Sequence, residues 1–179
     1  MTLPDQLTVA RALSVPVVVL LYEWNFPNHD YWATAVFVVA MSTDQIDGWL
    51  ARRWNQTSAF GSLLDPIADK VLVMAALVML IAEGAAPAWM VAAIIAREFL
   101  VSGLRLAAIE RGIVIAARDL GKLKTWAQAI AVAVGGLAAA GAWSTDVAWW
   151  TLLVAVVLTW ISGLDYARVA PRVLRAGSA

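Results

Sequence analysis

The segment DQIDGWLARRWNQTSAFGSLLDPIADK, residues 44–70, interrupts an otherwise apolar part of the chain. The run TAVFVVAM precedes it at 34–41, and VLVMAALVMLIA follows it at 71–82. The segment contains four aspartates, two arginines and one lysine. Carboxylates at membrane depth are costly unless they are paired, bound to an ion or used in function. Four of them beside apolar runs therefore indicate a site and not an ordinary loop.

The composition of the whole chain is that of a membrane protein. Of its 179 residues, 62% are hydrophobic and 15% are charged, and the mean hydropathy is +0.76. Soluble domains are about 45–50% apolar even when glycine is counted. The formal net charge of zero provides no basic field for nucleic acid. The absence of cysteine excludes disulfides, thiolate metal sites and cysteine nucleophiles.

Apolar runs of about 20 residues, the length that crosses a bilayer as a helix, recur along the sequence. We predict an all-α, polytopic membrane protein that forms one domain over residues 1–179. Six transmembrane helices are expected, at residues 7–22, 31–54, 63–81, 88–109, 124–142 and 147–164.

The basic residues predict the orientation of these spans. The loops at 23–30, 82–87 and 141–146 contain no Lys or Arg. The opposite ends of the spans carry Arg11, Arg52, Arg53, Arg111, Arg118, Lys122, Lys124, Arg168, Arg172 and Arg175. Because Lys and Arg mark the cytoplasmic side of a membrane protein, both termini are expected in the cytoplasm.

The four aspartates form two pairs with helical spacing. Asp44 and Asp47 are three residues apart, and Asp65 and Asp69 are four apart, so each pair lies on one helix face. If the second and third spans form a hairpin, the two pairs converge near the cytoplasmic surface. Four carboxylates at close range repel one another, and a divalent cation relieves that repulsion. Donors that are all oxygen favour Mg²⁺ or Mn²⁺ over zinc.

Small residues and an arginine accompany the acids. Gly48 and Ala51 follow the first pair, and Gly61 precedes Asp65. Such positions let a ligand approach the backbone closely. Arg52 adds a fixed cation that suits phosphate. Together these residues predict a pocket for a metal-bound, phosphorylated ligand, open to the cytoplasm.

The same stretch resembles the signature of the CDP-alcohol phosphotransferase family, D-x2-D-G-x2-A-R-x8-G-x3-D-x3-D. The eight fixed residues stand at the required spacing over 26 positions, as Asp44, Asp47, Gly48, Ala51, Arg52, Gly61, Asp65 and Asp69. The resemblance implies an enzyme that transfers a substituted phosphoryl group from a CDP-linked lipid or alcohol to an acceptor hydroxyl, with release of CMP. It also implies a homodimer in the bacterial cell membrane, with six spans and an active site that faces the cytoplasm.

The resemblance further implies roles for the motif residues. Asp44, Asp47 and Asp65 would be ligands of Mg²⁺ or Mn²⁺, and Asp69 would be a ligand, the general base for the acceptor hydroxyl, or both. Two metal ions about 3.5–4 Å apart can neutralise the charge of a diphosphate and hold the reacting groups in line. The nucleotide would be bound by Asp44, Gly48, Ala51, Arg52 and Gly61.

Cations in and before the later spans predict the nature of the acceptor. The segments REFLVSGLR and RDLGKLKT contain the residues expected to bind an acceptor phosphate, which are Arg97, Arg105, Arg118, Lys122 and Lys124. Cations that face an acidic metal site suit an anionic, phosphorylated acceptor. Two simpler interpretations stay open. Arg97 could form a structural ion pair with Glu98, and the 118–124 group could be ordinary positive-inside anchoring.

These two segments, LDPIADK and the N-terminal LPDQLTVAR resemble the phosphatidylglycerophosphate synthase branch of the family. In that branch the donor is CDP-diacylglycerol and the acceptor is sn-glycerol 3-phosphate. Thr8 and Arg11 match the branch's opening P-N-x-L-T-x-x-R, whereas Asp5 stands where asparagine is common.

Two other functions remain open at this point. A phosphatidylinositol phosphate synthase, which also takes a phosphorylated acceptor, or another member of the family would share the motif. A cation transporter could also hold aspartates within its spans. The outer halves TAVFVVAM and VLVMAALVMLIA, however, offer no ionisable group for a path across the membrane.

Overall fold

The computed structural model describes the backbone of residues 3–24, 26–54, 59–110, 112 and 119–175, and the side chains of 8–24, 26–43, 67–110, 112, 121–164 and 166. This part of the chain forms six α-helices and contains no strand, which confirms the all-α class. The helices are α1 (Leu3–Glu23), α2 (His29–Trp54), α3 (Ala59–Ala82), α4 (Ala88–Glu110), α5 (Asp119–Ala139) and α6 (Thr145–Arg175).

The helix ends follow the predicted spans closely at α2 and α4 and differ most at the last two helices. Helix α5 begins at Asp119 and not at 124, and α6 continues beyond 164 to Arg175. The predicted ends mark where the apolar sequence stops. A polar residue ends an apolar run without ending a helix, because arginine, for example at 168 and 172, is a good helix former. The apolar length therefore underestimates the helical length.

Among the residues that the structure describes, helix α1 packs against both α2 and α3, whereas α2 and α3 have few contacts with each other. Helices α5 and α6 form the most extensive pair, and α4 packs mainly on α6. Helix α5 also contacts α2 and α3. Helix α1 therefore packs against both helices of the hairpin expected for the second and third spans, and it provides most of the described contacts of each.

The apolar core lies towards the end of the bundle that carries the α3–α4 turn. Its largest fully buried side chains are Phe37, Leu72, Leu77, Leu80, Met90 and Ile94, from α2, α3 and α4. Ala85 and Ala86 of the turn are themselves buried in this core. Buried charged side chains lie elsewhere, on the part of α4 that follows Ile94 and on the neighbouring helices.

One segment of the described residues, Thr145–Leu164 in α6, is long and apolar enough to cross a membrane by length and composition. Helix α4 carries Arg97, Glu98 and Arg105 within its length, which lowers its apolar character. Large apolar side chains are nevertheless exposed on all six helices, for example Leu20, Val39, Val78, Phe99, Ile130 and Val154. Soluble monomers rarely expose extensive apolar surface, so this distribution is typical of a lipid-facing bundle.

Gly136 lets α5 approach α1 and α2 closely. A Cβ added at Gly136 would collide with Thr34 Oγ1 and would lie 2.9 Å from the hydroxyl of Tyr22. The two hydroxyls are themselves 3.4 Å apart in the buried interior. Any side chain at 136 must therefore push α5 away from both helices.

Gly136→Ala is expected to destabilise the fold by about 1–3 kcal/mol, the usual cost of overpacking an interior. The matched control is Gly121→Ala in the same helix, where an added Cβ meets nothing within 4 Å. Thermal unfolding of the purified variants in detergent measures both. Equal melting temperatures for Gly136→Ala and wild type would contradict the close packing described here.

Candidate functional site

Asp69, the last aspartate of the motif, is held by an arginine from the first helix. Arg11 Nη1 lies 2.9 Å from Asp69 Oδ1, and the Arg11 side chain is 1% exposed while that of Asp69 is 25% exposed. A buried guanidinium is stable only beside a carboxylate or other acceptors. The ion pair therefore fixes the level of α1 against α3 and leaves part of the Asp69 carboxylate accessible.

The other motif residues lie on the helices that the sequence predicted, but their side chains are outside the described residues. The affected residues are Asp44, Asp47, Gly48, Ala51 and Arg52 on α2, and Gly61 and Asp65 on α3. Residues 55–58 join the two helices. At 1.5 Å per residue, all four aspartates lie about 9–15 Å from the helix ends at this connection. The two pairs are therefore at matching levels of consecutive helices.

This arrangement fits a divalent cation of the magnesium type. The donor set is four carboxylates without cysteine or histidine, and hard oxygen ligands suit Mg²⁺ and Mn²⁺. The carboxylate of Asp69 retains accessible surface beside its ion pair with Arg11. Asp44, Asp47, Asp65 and Asp69 are thus the residues that could hold metal ions here.

A second group of possible metal ligands lies at the other end of the bundle. Donor atoms of His29, Asp30 and Glu83 lie within 4.8 Å of one another. The pKa of the Glu83 carboxyl is raised, first by burial and then by the charge of Asp30. Glu83 follows the end of α3, about 20 Å along the helix from Asp69. This group is therefore separate from the motif, and the sequence assigned it no chemistry.

A small cavity opens beside Asp69. Its volume is about 140 Å³, enough to hold several waters or a small polar group. Residues of α3, α4 and α5 line it, namely Asp69, Lys70, Val73, Met74, Ile94, Glu98, Lys124, Thr125 and Gln128. Two ammonium groups and two carboxylates thus line one cavity, whose remaining wall is largely apolar.

Glu98 is the centre of the charges at this cavity. Its Oε1 accepts hydrogen bonds from Arg97 Nη1 at 3.0 Å and from Lys124 Nζ. Gln128 Nε2 lies 3.5 Å from the same oxygen, and Lys70 Nζ lies 3.8 Å from Oε2. The Glu98 side chain is 4% exposed. We call these five residues the Glu98 network. It links α3, α4 and α5 through one buried carboxylate.

Two hydroxyls of α6 extend this network. Arg97 Nη2 donates to Ser162 Oγ at 2.6 Å, and Gln128 Nε2 donates to Thr159 Oγ1 at 2.8 Å. A Cβ on Gly163 would lie 3.1 Å from Arg97 Nε, so a glycine gives the guanidinium its space. Arg97 is 3% exposed, and its guanidinium donates to Glu98 and Ser162. Its position supports the structural ion pair with Glu98 that the sequence left open.

The remaining residues predicted to bind an acceptor phosphate have different surroundings. Lys124 lines the cavity, with its side chain 12% exposed. Arg105 and Lys122 are exposed on α4 and α5. Arg118 lies outside the described residues. The structure therefore brings Arg97 and Lys124 together through Glu98.

Sequence reasoning missed Lys70, Gln128 and the Arg11–Asp69 ion pair. Lys70 follows the last motif aspartate directly, and Gln128 is a polar residue within an apolar span. A buried side-chain amide requires a hydrogen-bond partner. The presence of Gln128 in an apolar span could therefore have predicted a polar group beside it. Arg11 stood in the matched opening segment LTVAR, but nothing in the sequence pairs it with a residue on another helix.

Comparison with known proteins defines the class of this chain. The chain belongs to the CDP-alcohol phosphatidyltransferase family, which it matches over residues 1–161. It is therefore a transferase of phospholipid synthesis, as the motif predicted.

Particular relatives carry more specific names. The chain is 44% identical over 142 residues to the CDP-diacylglycerol–glycerol-3-phosphate 3-phosphatidyltransferase of Bacillus subtilis (strain 168), covering 73% of this chain and 74% of that protein. It is 39% identical over 173 residues to a probable phosphatidylglycerophosphate synthase of Mycobacterium tuberculosis (strain ATCC 25618 / H37Rv), covering 95% and 82%. A Rickettsia bellii (strain RML369-C) protein with the first of these names is 36% identical over 175 residues, covering 95% and 96%.

Ser162→Ala tests whether the α6 hydroxyls support the buried charges. The substitution removes the acceptor of Arg97 Nη2, and a hydrogen bond to a charged group contributes about 1.5–3 kcal/mol. The matched control is Ser42→Ala, because Ser42 is exposed and donates to Val38 O of its own helix. We expect thermal unfolding in detergent to show a lower melting temperature for Ser162→Ala alone. A similar loss in both variants would argue against a specific role for this contact.

Proposed function

We propose that this protein transfers the phosphatidyl group of CDP-diacylglycerol to sn-glycerol 3-phosphate, giving phosphatidylglycerophosphate and CMP. The relatives named for this reaction support the proposal, since they cover most of the chain. The structural observation that best supports the proposal is the cavity beside Asp69, which is lined by the positively charged side chains of Lys70 and Lys124. An acceptor that carries a phosphate finds complementary charge there, because the two ammonium groups share the single carboxylate of Glu98.

The reaction requires one bond to form and one to break. The acceptor hydroxyl oxygen attacks the phosphorus that bears the diacylglycerol, and the bond from that phosphorus to the oxygen of CMP breaks. We assign the hydroxyl proton to the Asp69 carboxylate, which lies at the cavity. The position and partial exposure of the Asp69 carboxylate favour this role. A general base must first be within hydrogen-bond reach of the proton that it removes.

The motif residues would bind the donor. Asp44, Asp47, Asp65 and Asp69 would hold Mg²⁺ or Mn²⁺, two ions by family resemblance, which neutralise the charge of the diphosphate when bound. The nucleotide part would lie against Asp44, Gly48, Ala51, Arg52 and Gly61. The matching levels of the aspartates on α2 and α3 support this assignment.

The acceptor phosphate would be bound by cations of α4 and α5. The proposed residues are Arg97, Arg105, Arg118, Lys122 and Lys124. Lys124 has the strongest structural support, since it lines the cavity beside Asp69. Arg97 contacts Glu98 and would act indirectly, by fixing the carboxylate that in turn binds Lys124.

We further propose that the six helices form one membrane domain that spans the bacterial cell membrane, with both termini and the active site on the cytoplasmic side. The apolar side chains exposed on every helix support burial in lipid, and the absence of Lys and Arg from the loops at 23–30, 82–87 and 141–146 supports the orientation. A homodimer is expected from the family resemblance, and light scattering of the detergent complex would measure its mass.

Purified protein with CDP-diacylglycerol and each candidate acceptor tests the reaction, with CMP release as the readout. We expect turnover with sn-glycerol 3-phosphate to exceed that with inositol phosphate by roughly a hundredfold, since a site built for one polar ligand rejects a poorly matched one. Preferential use of inositol phosphate would instead identify a phosphatidylinositol phosphate synthase. Cation flux across liposomes without CMP release would favour the transporter.

Sealed membrane vesicles test the orientation in the same assay. Glycerol 3-phosphate is charged and does not cross the bilayer. Inverted vesicles, which expose the cytoplasmic face, should therefore release CMP, whereas sealed right-side-out vesicles should not. Equal rates from both preparations would contradict a cytoplasmic active site.

Asp69→Asn should lower kcat by about 10²–10⁴-fold, the range expected for loss of a general base. The matched control is Asp146→Asn, an exposed aspartate in the first turn of α6, which should leave kcat unchanged. Activity is measured after EDTA treatment and titration with Mn²⁺, and the melting temperature reports the loss of the Arg11 ion pair. A raised half-maximal Mn²⁺ concentration would indicate a ligand role. Turnover near wild type would rule out the assignment as base.

A further inference from the structure

We propose that Lys70 binds the phosphate of the acceptor and, together with Lys124, makes the cavity beside Asp69 selective for phosphorylated alcohols. This inference rests on the proposed function and adds a residue that the motif and the acceptor segments leave out. Lys70 lies on α3, next to Asp69 in the chain, whereas Lys124 lies on α5. The two ammonium groups therefore reach the same cavity from different helices.

The surroundings of Lys70 leave its ammonium able to bind an anion. Lys70 Nζ donates to Ser102 Oγ of α4 and lies 3.8 Å from Glu98 Oε2. An ammonium has three N–H donors. Among the described residues, no further acceptor is bonded to Nζ, and the side chain is 39% exposed at the cavity. One donor direction thus remains available for a ligand oxygen.

The charges of the cavity favour an anion over a neutral ligand. Lys70, Arg97 and Lys124 surround the single carboxylate of Glu98. Within this group, three positive charges face one negative charge, so the excess is positive. Asp69 also lines the cavity, but its charge is balanced by the ion pair with Arg11 of α1. A dianionic phosphate beside Lys70 and Lys124 would balance the cluster through charge-assisted hydrogen bonds.

Glu98 gives the two lysines a fixed separation. Its Oε1 accepts from Lys124, and its Oε2 faces Lys70, so one buried carboxylate holds both ammonium groups at the edge of the cavity. Long lysine side chains lose considerable rotamer entropy when a ligand orders them. Because Glu98 and Ser102 already order Lys70, less of that entropy is lost on binding. The cavity is therefore preorganised for an anion.

Lys70→Met tests the proposal, since methionine keeps an unbranched chain and removes the charge. Glu98 retains Arg97 and Lys124 as partners, so the fold should persist. We expect the KM for sn-glycerol 3-phosphate to rise about 10- to 100-fold, as for loss of a hydrogen bond to a charged group. The KM for CDP-diacylglycerol should stay within about twofold, because the residues proposed to bind the donor are those of the motif and do not include Lys70.

The control variant is Val78→Leu, which changes an exposed apolar side chain of the same helix that does not line the cavity. Its two KM values should match those of wild type. The proposal is overturned if Lys70→Met leaves the KM for glycerol 3-phosphate unchanged. It is also overturned if both KM values rise together, because a general distortion of the site would produce that result.

Direct binding separates this inference from the proposed reaction. Inorganic phosphate should raise the melting temperature of the wild-type protein, should do the same for Val78→Leu, and should have little effect on Lys70→Met. If phosphate stabilises wild type through Lys70 but glycerol 3-phosphate gives no CMP, the anion site stands and the proposed reaction fails. If wild type turns over glycerol 3-phosphate with a KM independent of Lys70, the reaction stands and the inference fails.

Discussion

Glu98 carries a carboxylate into the packed interior of an apolar helical bundle, and the helices around it are arranged to neutralise that charge. Arg97 and Lys124 donate to one oxygen, and Lys70 faces the other. Removing one partner of a buried ion pair is far more costly than losing a surface pair, because the remaining charge stays desolvated. Helices α3, α4 and α5 therefore cannot separate at this level without a large penalty. Two hydroxyls on α6 bind the outer members of the same network.

This constraint divides the bundle into two functional parts. Around the α3–α4 turn, large apolar side chains such as Phe37, Leu77 and Met90 fill the interior. A close-packed core of this kind has low compressibility and fixes the helix axes. Beyond Ile94 the interior becomes polar, and the cavity opens beside Asp69. The apolar part thus acts as a scaffold that holds helices at set distances, and the polar part uses those distances to place charges around a ligand.

The sequence predicted those features of the fold and the site that depend on local pattern. Apolar length located six helices, and the spacing of Asp65 and Asp69 placed both on one helix. Contacts between residues far apart in sequence were not predictable in this way. The approach of Arg11 to Asp69 depends on how α1 packs against α3, and that of Lys70 to Glu98 on how α3 packs against α4. The length of α6 was missed for a different reason, since apolar character ends before helix propensity does.

The adjacency of Asp69 and Lys70 explains how one rigid helix can contact both ends of the proposed acceptor. Successive residues of an α-helix point about 100° apart, because a turn contains 3.6 residues. Asp69 accordingly meets Arg11 of α1, whereas Lys70 meets Ser102 and Glu98 of α4. In the proposed reaction, Asp69 accepts the hydroxyl proton of the acceptor, and Lys70 binds the phosphate of the acceptor. Because both residues belong to the same helical turn, the distance between reacting oxygen and recognised phosphate is set by backbone geometry. An acceptor of different length would satisfy one contact and lose the other.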